Sequence, residues 1–339
     1  MKYSFQDDYS EGCHPAILDA LSKTNFTQQI AYGDDEFSHA ARALIRKQLG
    51  GHKASIYFVA GGTLANLIII ASQLRPHEAV ISAASGHIAV HETGAIEATG
   101  HKIITIDKPG GKLTGEDVRQ AVAANSHAPH QAKPRLVYIS NAAETGRIYI
   151  KSELEDLSLT CRDLGLTLLL DGARLGAALT SSFNDVTLAD LARLTDIFWI
   201  GGTKAGALLG EAIVINRPEL ARDFSFHIKQ RGALLAKGRA LGVQFQTLFQ
   251  DDLFFTANRH ANTLAQTLSK AITKAGHQLL SRTETNQVFP VLPNDLVDQL
   301  EEDFRFYRWA SHDGDHTTLR LVTSWATDEK QVERFISKL

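Results

Sequence analysis

Three short stretches carry residue types able to do chemistry together, although each also has an ordinary structural explanation. Lys204 stands in the small-residue turn Gly201-Gly202-Thr203-Lys204, between the apolar runs Asp196–Ile200 and Glu211–Ile215. An amine held between apolar strands is partly desolvated, which lowers its pKa and makes it a nucleophile towards a carbonyl carbon; in an exposed turn the same lysine is a solvated surface group. Asp171 follows the run Leu166–Leu170, and a carboxylate at the mouth of a buried strand needs a cation or hydrogen-bond donors. Arg174 could supply that partner as a salt bridge; alternatively Asp171 pairs with the protonated ring nitrogen of a cofactor. Gly61-Gly62-Thr63 separates a strand-like run from an apolar helical one. It is either a plain turn with an N-cap or a cup where helix N–H groups meet a phosphate.

The histidines add less. His87 and His91, with Glu92 adjacent, have the spacing of zinc ligands on one helix face, but no third ligand follows and H-E-x-x-H is absent, so no metal is expected. His312 and His316 read as part of a polar surface loop.

Positioning these residues requires an α/β frame. Strand-like runs at Lys53–Val59, Ala79–Ser82, Lys102–Ile106, Arg135–Ser140, Thr167–Leu170 and Asp196–Ile200 alternate with helical stretches such as Ala16–Leu21, Ser38–Leu49 and Leu64–Gln73. That alternation predicts a mostly parallel sheet covered by helices, with ligands at the carboxyl ends of its strands. The link from Ile200 to Glu211 is too short for a parallel crossover, so Glu211–Ile215 is expected to run antiparallel. His127–Pro134 reads as a loop. Beyond Pro218 the pattern predicts one long helix at Phe224–Gln250, helices at Thr256–Ala275, Asn294–Glu302 and Glu329–Leu339, and strands at Val288–Val291 and Leu319–Thr323. The division expected is an N-terminal arm (1–15), a large domain (16–245) and a smaller C-terminal α+β domain (246–339).

Composition narrows the function classes. The 339 residues are 44 % hydrophobic and 22 % charged with a net charge of −3, so there is no basic field for nucleic acid. Two cysteines, Cys13 and Cys161, are too few for a disulfide framework. No run is long and apolar enough for a membrane span, and the first residues carry no apolar signal region, so a cytoplasmic location is expected. G-x-G-x-x-G, the P-loop and G-x-S-x-G are all absent.

The order of these features, cup, histidine, strand-end aspartate and lysine one strand later, resembles a pyridoxal phosphate enzyme of fold type I. More closely, the chain resembles the low-specificity L-threonine aldolases of the β-eliminating lyase family. The resemblance is carried by Asp8-Tyr9-Ser10-Glu11-Gly12-Cys13-His14-Pro15, Tyr32-Gly33-Asp34-Asp35, Gly61-Gly62-Thr63-Leu64-Ala65-Asn66, His87 with Glu92, Asp171-Gly172-Ala173-Arg174, Gly202-Thr203-Lys204 and Arg320-Leu321-Val322-Thr323. It runs from about residue 4 to the C-terminus, and its most specific part is D-G-A-R combined with the T-K turn.

This resemblance implies the aspartate aminotransferase fold and pyridoxal 5′-phosphate as cofactor. It implies retro-aldol cleavage of L-threonine or L-allo-threonine to glycine and acetaldehyde through a Lys204 Schiff base. Gly62 and Thr63 would hold the phosphate, Asp171 the ring nitrogen, and His87 would stack on the ring. Arg174 and Arg320 would grip the substrate carboxylate, with Asp8 beside it, and His130 matches a family histidine near the β-hydroxyl. The partners implied are a small amino acid and further copies of the chain, a homodimer or homotetramer with sites at the dimer interface. β-Elimination from another amino acid is the competing activity, and a non-catalytic member of the fold a third possibility. Two positions depart from the family pattern: Asp7, where Ser or Asn is usual, and Lys204-Ala205-Gly206, where relatives carry Asn or a further Gly.

Overall fold

The computed structural model describes residues 2–339. Its strands, in chain order, are β1 (Tyr3–Ser4), β2 (Ser55–Val59), β3 (Glu78–Ala83), β4 (Lys102–Ile106), β5 (Lys133–Ser140), β6 (Thr167–Asp171), β7 (Ile197–Gly201), β8 (Glu211–Ile215), β9 (Gln278–Leu279), β10 (Gln287–Val288), β11 (Pro290–Pro293), β12 (Phe304–Arg305), β13 (Tyr307–Ser311) and β14 (His316–Val322). The seven strands β2 to β8 form the main sheet in the order β2-β8-β7-β6-β5-β3-β4. The pairs β3–β4, β3–β5, β5–β6 and β6–β7 are parallel. β8 runs antiparallel between β7 and β2, as the short link after Ile200 requires.

Strands β3, β6 and β7, and the reversed β8 between its neighbours, are buried throughout, as strands of a sheet covered on both faces must be. Helix α1 (Pro15–Thr24) starts at a proline behind the His14 cap, and α2 (Glu36–Gln48) starts at Asp35, whose carboxylate accepts the Ser38 N–H at 2.8 Å. Both pack on the face built around Ile45, Phe198 and Phe245. Helix α3 (Gly62–Gln73) is apolar all round and buries Ile68, Ile69 and Ile70 on the opposite face.

A second core lies in the C-terminal part, around Leu268, Leu292, Leu321 and Phe335, where β9, β10, β11 and β14 form a smaller sheet with β13 paired to β14. The N-terminus joins it: β1 pairs in parallel with β12, and Phe5 is fully buried there. The change from one core to the other falls within the helix Leu253–Lys274, since Phe254 belongs to the first and Leu264 to the second. The preceding helix Arg239–Phe249 packs on α2 and α1.

Two expectations about elements are corrected. The long helix at Phe224–Gln250 is two helices, Phe224–Gln230 and Arg239–Phe249. Gly232 takes a φ of +70° between them, and Gly238 lies so close to Gly33 that a Cβ would sit 2.5 Å from its backbone nitrogen. The strand at Val288–Val291 is interrupted at Phe289, giving β10 and β11.

Candidate functional site

The carboxyl ends of β2, β5, β6 and β7 and the amino end of the reversed β8 meet at one edge of the sheet. The groups gathered there line a cavity of about 340 Å³ that includes Gly61, Gly62, Thr63, His87, Asp171, Arg174 and Lys204. An adjoining cavity of about 450 Å³ shares Tyr9, His87, Glu144, Arg174 and Lys204 with it and extends to Arg320, Tyr307 and Trp309. Among the described residues, no cluster of three or more His, Cys, Asp or Glu side chains could hold a metal ion.

Asp171, at the end of β6, is 3 % exposed and fully engaged. Its Oδ2 accepts the Asn66 amide at 2.9 Å and the Tyr138 hydroxyl at 2.6 Å, and its Oδ1 accepts the Ala173 N–H at 2.9 Å. Burial and the Asp171 charge hold the Tyr138 phenol well above its ordinary pKa, so it remains a donor. The Trp199 indole N–H donates to Asn66 Oδ1 at 3.0 Å, fixing the amide's orientation. Arg174 is not the partner of Asp171.

Arg174 instead forms a two-pronged pair with Asp8: Nε donates to Oδ2 at 2.7 Å and Nη2 to Oδ1 at 3.1 Å. Asp8 is 1 % exposed, also accepts the Asn286 amide at 2.9 Å, and lines neither cavity. It therefore stands behind Arg174, outside the lining of both cavities, as that arginine's counter-charge. Burial raises the Asp8 carboxyl, but the charges of Arg174 and Lys204 and the bonds from Arg174 and Asn286 outweigh it and hold the group below the usual carboxylate range. Asp8→Ala leaves a buried arginine uncompensated; it should cost roughly 3–5 kcal/mol of stability in thermal unfolding.

Lys204 follows β7 in the turn Thr203–Ala205, half-buried, with its ammonium 5.7 Å from the Tyr9 ring centre. Burial and the Arg174 charge lower its pKa, against Asp8, Glu144 and Asp171. The glycine cup opens α3: Gly61 is its N-cap and Gly62 its first residue, where a Cβ would lie 2.9 Å from the Trp199 ring. Only glycine lets the helix start that close to the indole.

His87 donates from Nδ1 to Glu92 Oε1 at 2.8 Å, an oxygen that also accepts from Asn66 at 2.8 Å. Burial lowers the imidazole's pKa, yet the Glu92 bond and the charges of Glu144, Asp171 and Glu92 carry it above the ordinary value. Nε2 is left for the cavity. Arg320, on β14, donates from Nε to Gln287 at 3.0 Å and lies within 5.7 Å of the Tyr307 and 5.6 Å of the Trp309 ring centres. Asp7 lines the outer cavity, with one buried carboxylate oxygen unpartnered.

His130 is not brought here. It is exposed beside His127 in the loop that enters β5 at its amino end, on the opposite edge of the sheet. Sequence reasoning missed Asn66 and Tyr138, which hold Asp171, and Glu211, which lines the cavity at 4 % exposure. Asn66 was readable only as the end of the cup motif, and Glu211 only as the start of a strand recognised as reversed.

A family model described as beta-eliminating lyase matches residues 6–294. A low specificity L-threonine aldolase of Pseudomonas sp. is 34 % identical over 98 % of this chain and 95 % of its own length. One of Pseudomonas aeruginosa is 33 % identical over 96 % and 93 %. Among solved structures, a Leishmania major threonine aldolase is 47 % identical, covers 99 % of this chain and 98 % of its own, and superposes with a TM-score of 0.97. A Thermus thermophilus aspartate aminotransferase, 14 % identical over 99 % and 90 %, superposes with a TM-score of 0.72 and speaks to the fold alone, which is fold type I.

Proposed function

The chain belongs to the β-eliminating lyase family, and from that membership we propose that it is a pyridoxal 5′-phosphate-dependent aldehyde-lyase cleaving L-threonine or L-allo-threonine to glycine and acetaldehyde. The observation that carries this reading is the convergence of a lysine, a fully hydrogen-bonded carboxylate and a helix-terminal glycine cup on one cavity of about 340 Å³. A phosphorylated pyridine aldehyde fits that donor set. The N–H groups of Gly62 and Thr63 would take its phosphate, Asp171 its ring nitrogen and Lys204 its aldehyde carbon. When bound, the cofactor supplies an electron sink for the pair released as the Cα–Cβ bond breaks.

The chain's own groups do the rest. Arg174, held by Asp8, and Arg320, braced by Tyr307 and Trp309, bind the substrate carboxylate and so fix which bond at Cα is aligned to break. His87 accepts the β-hydroxyl proton at Nε2, and Glu92 at Nδ1 stabilises the charge that results. An imidazole whose pKa is raised is a base only once deprotonated, so activity should fall towards acid pH with a midpoint above the ordinary ~6.5. His87→Phe, which keeps a ring but removes the nitrogens, should retain cofactor absorbance and lose about 10²–10⁴-fold in threonine cleavage together with that acid limb. Cleavage at the parent rate would reduce His87 to a packing ring.

The deciding experiment measures acetaldehyde with a coupled dehydrogenase beside a pyruvate assay. Acetaldehyde with glycine supports the reading; pyruvate without acetaldehyde favours β-elimination. Assembly as a homodimer or homotetramer is part of the same proposal. It is supported by Phe26 at 94 % and Phe226 at 72 % exposure, apolar rings that a second copy would cover. Light scattering should therefore report two or four times the chain mass. Among the described residues, no helix is long and apolar enough to cross a membrane. The same reading has the enzyme in the cytoplasm, where the free and buried Cys13 and Cys161 would remain thiols.

A further inference from the structure

Glu211 is a buried acid on the wall of the cavity that holds the glycine cup, and it forms no ion pair among the described residues. Resting on the cofactor reading above, we propose that Glu211 stands there as a neutral acid whose proton turns the Thr203 hydroxyl towards the phosphate of the cofactor.

The argument is one of donors and acceptors. Thr203 Oγ1 lies 2.9 Å from Glu211 Oε1 and accepts the Gly210 N–H at 3.2 Å. Glu211 Oε2 accepts the Gly202 N–H at 3.0 Å. A hydroxyl has one proton to give and two lone pairs, and an ionised carboxylate only accepts. With Glu211 ionised, Thr203 must spend its proton on Oε1 and offers the cavity a lone pair. With a proton on Oε1 the bond reverses. Glu211 then donates, Thr203 accepts from both Glu211 and Gly210, and its own proton is free for an anion in the cavity that it lines.

The surroundings favour the neutral form. β8 lies between Val59 of β2 and Gly201 of β7, and the helix Arg239–Phe249 presents Leu241 and Phe245 to the same turn at Gly210. The charged groups facing Glu211 are Lys204 and Asp171. Burial pushes the carboxyl up to about 8, against the bonds from Thr203 and Gly202 and the Lys204 charge, with Asp171 adding to the rise. A phosphate in the cup would raise it further, so loading the cup and keeping the proton are linked.

The test is affinity rather than turnover. The full-length chain, as parent, E211Q and T203V, is titrated with pyridoxamine 5′-phosphate, which keeps the ring and phosphate but has no aldehyde for Lys204. Between about pH 7 and about pH 9 the parent's affinity should fall about tenfold, the worth of one charge-assisted hydrogen bond. E211Q, whose amide donates to Thr203 at either pH, should change by less than about threefold over that interval. T203V should bind weakly at both. Parallel falls in parent and E211Q, or T203V binding as tightly as the parent at about pH 7, would overturn the proposal. Failure of all three proteins to bind overturns the cofactor reading instead.

Discussion

Lys204→Ala should lower acetaldehyde release from threonine by about 10⁴-fold or more, the scale on which removing a nucleophile acts. Among the described residues its amine is the one lysine nitrogen on the wall of the cavity, and burial beside Arg174 lowers its pKa, which favours the nucleophilic free amine. In the parent, borohydride should fix the cofactor's mass onto the tryptic peptide that contains Lys204; in the variant that label should vanish while the glycine cup still retains some cofactor. Label on another lysine would move the chemistry elsewhere.

Asp171→Asn has the next largest expected effect, about 10²–10³-fold in turnover, with a smaller loss of cofactor content. The carboxylate accepts from Asn66, Tyr138 and Ala173 at once, which fixes the position of a charged acceptor at the end of β6. An amide cannot offer that charge to a protonated ring nitrogen. It also turns an N–H towards donors that had an acceptor, so a modest stability loss of about 1–3 kcal/mol should accompany the rate effect. Absorbance of bound cofactor, turnover and melting temperature separate the three quantities. Turnover near the parent's would leave Asp171 as an organiser of the Asn66–Tyr138 network only.

What could be read without coordinates follows a physical line. Lys204, Asp171 and the glycine cup were legible because each sits where an apolar strand stops, and parallel strands all stop at one edge. The partners that orient them were not: Asn66, Tyr138 and Asp171 come from separate elements, and only the folded sheet brings their polar atoms together. Arg174 was legible as a cation, but its partner Asp8 lies near the N-terminus and no local spacing links the two. The place of His130 was not legible because a histidine in a loop carries no mark of which edge the loop lies on. β13 escaped notice because every residue of it is exposed, which erases the alternation by which strands are recognised. The break at Gly232 illustrates the reverse case, where apolar periodicity continues through a turn that backbone conformation ends.

Phe5 gives the fold an order of assembly. Its N–H and C=O are bonded to Arg305 and to Val322, at 2.7 and 2.8 Å, and its ring packs against Phe335. On a ribosome, residue 5 is made before any of those partners and waits, uncovered, until Arg305, Val322 and Phe335 have been made. Asp8, three residues on, pairs with Arg174 and also accepts the Asn286 amide, so the full set of bonds around that pair forms only once Asn286 has been made. A nascent chain can lay down the seven-stranded sheet with its lysine and aspartate and still lack a seated arginine. Full seating of Arg174 then follows the making of β14, and a chain that stops short of that strand leaves the Phe5 ring in solvent, a mark that quality-control proteases and chaperones recognise.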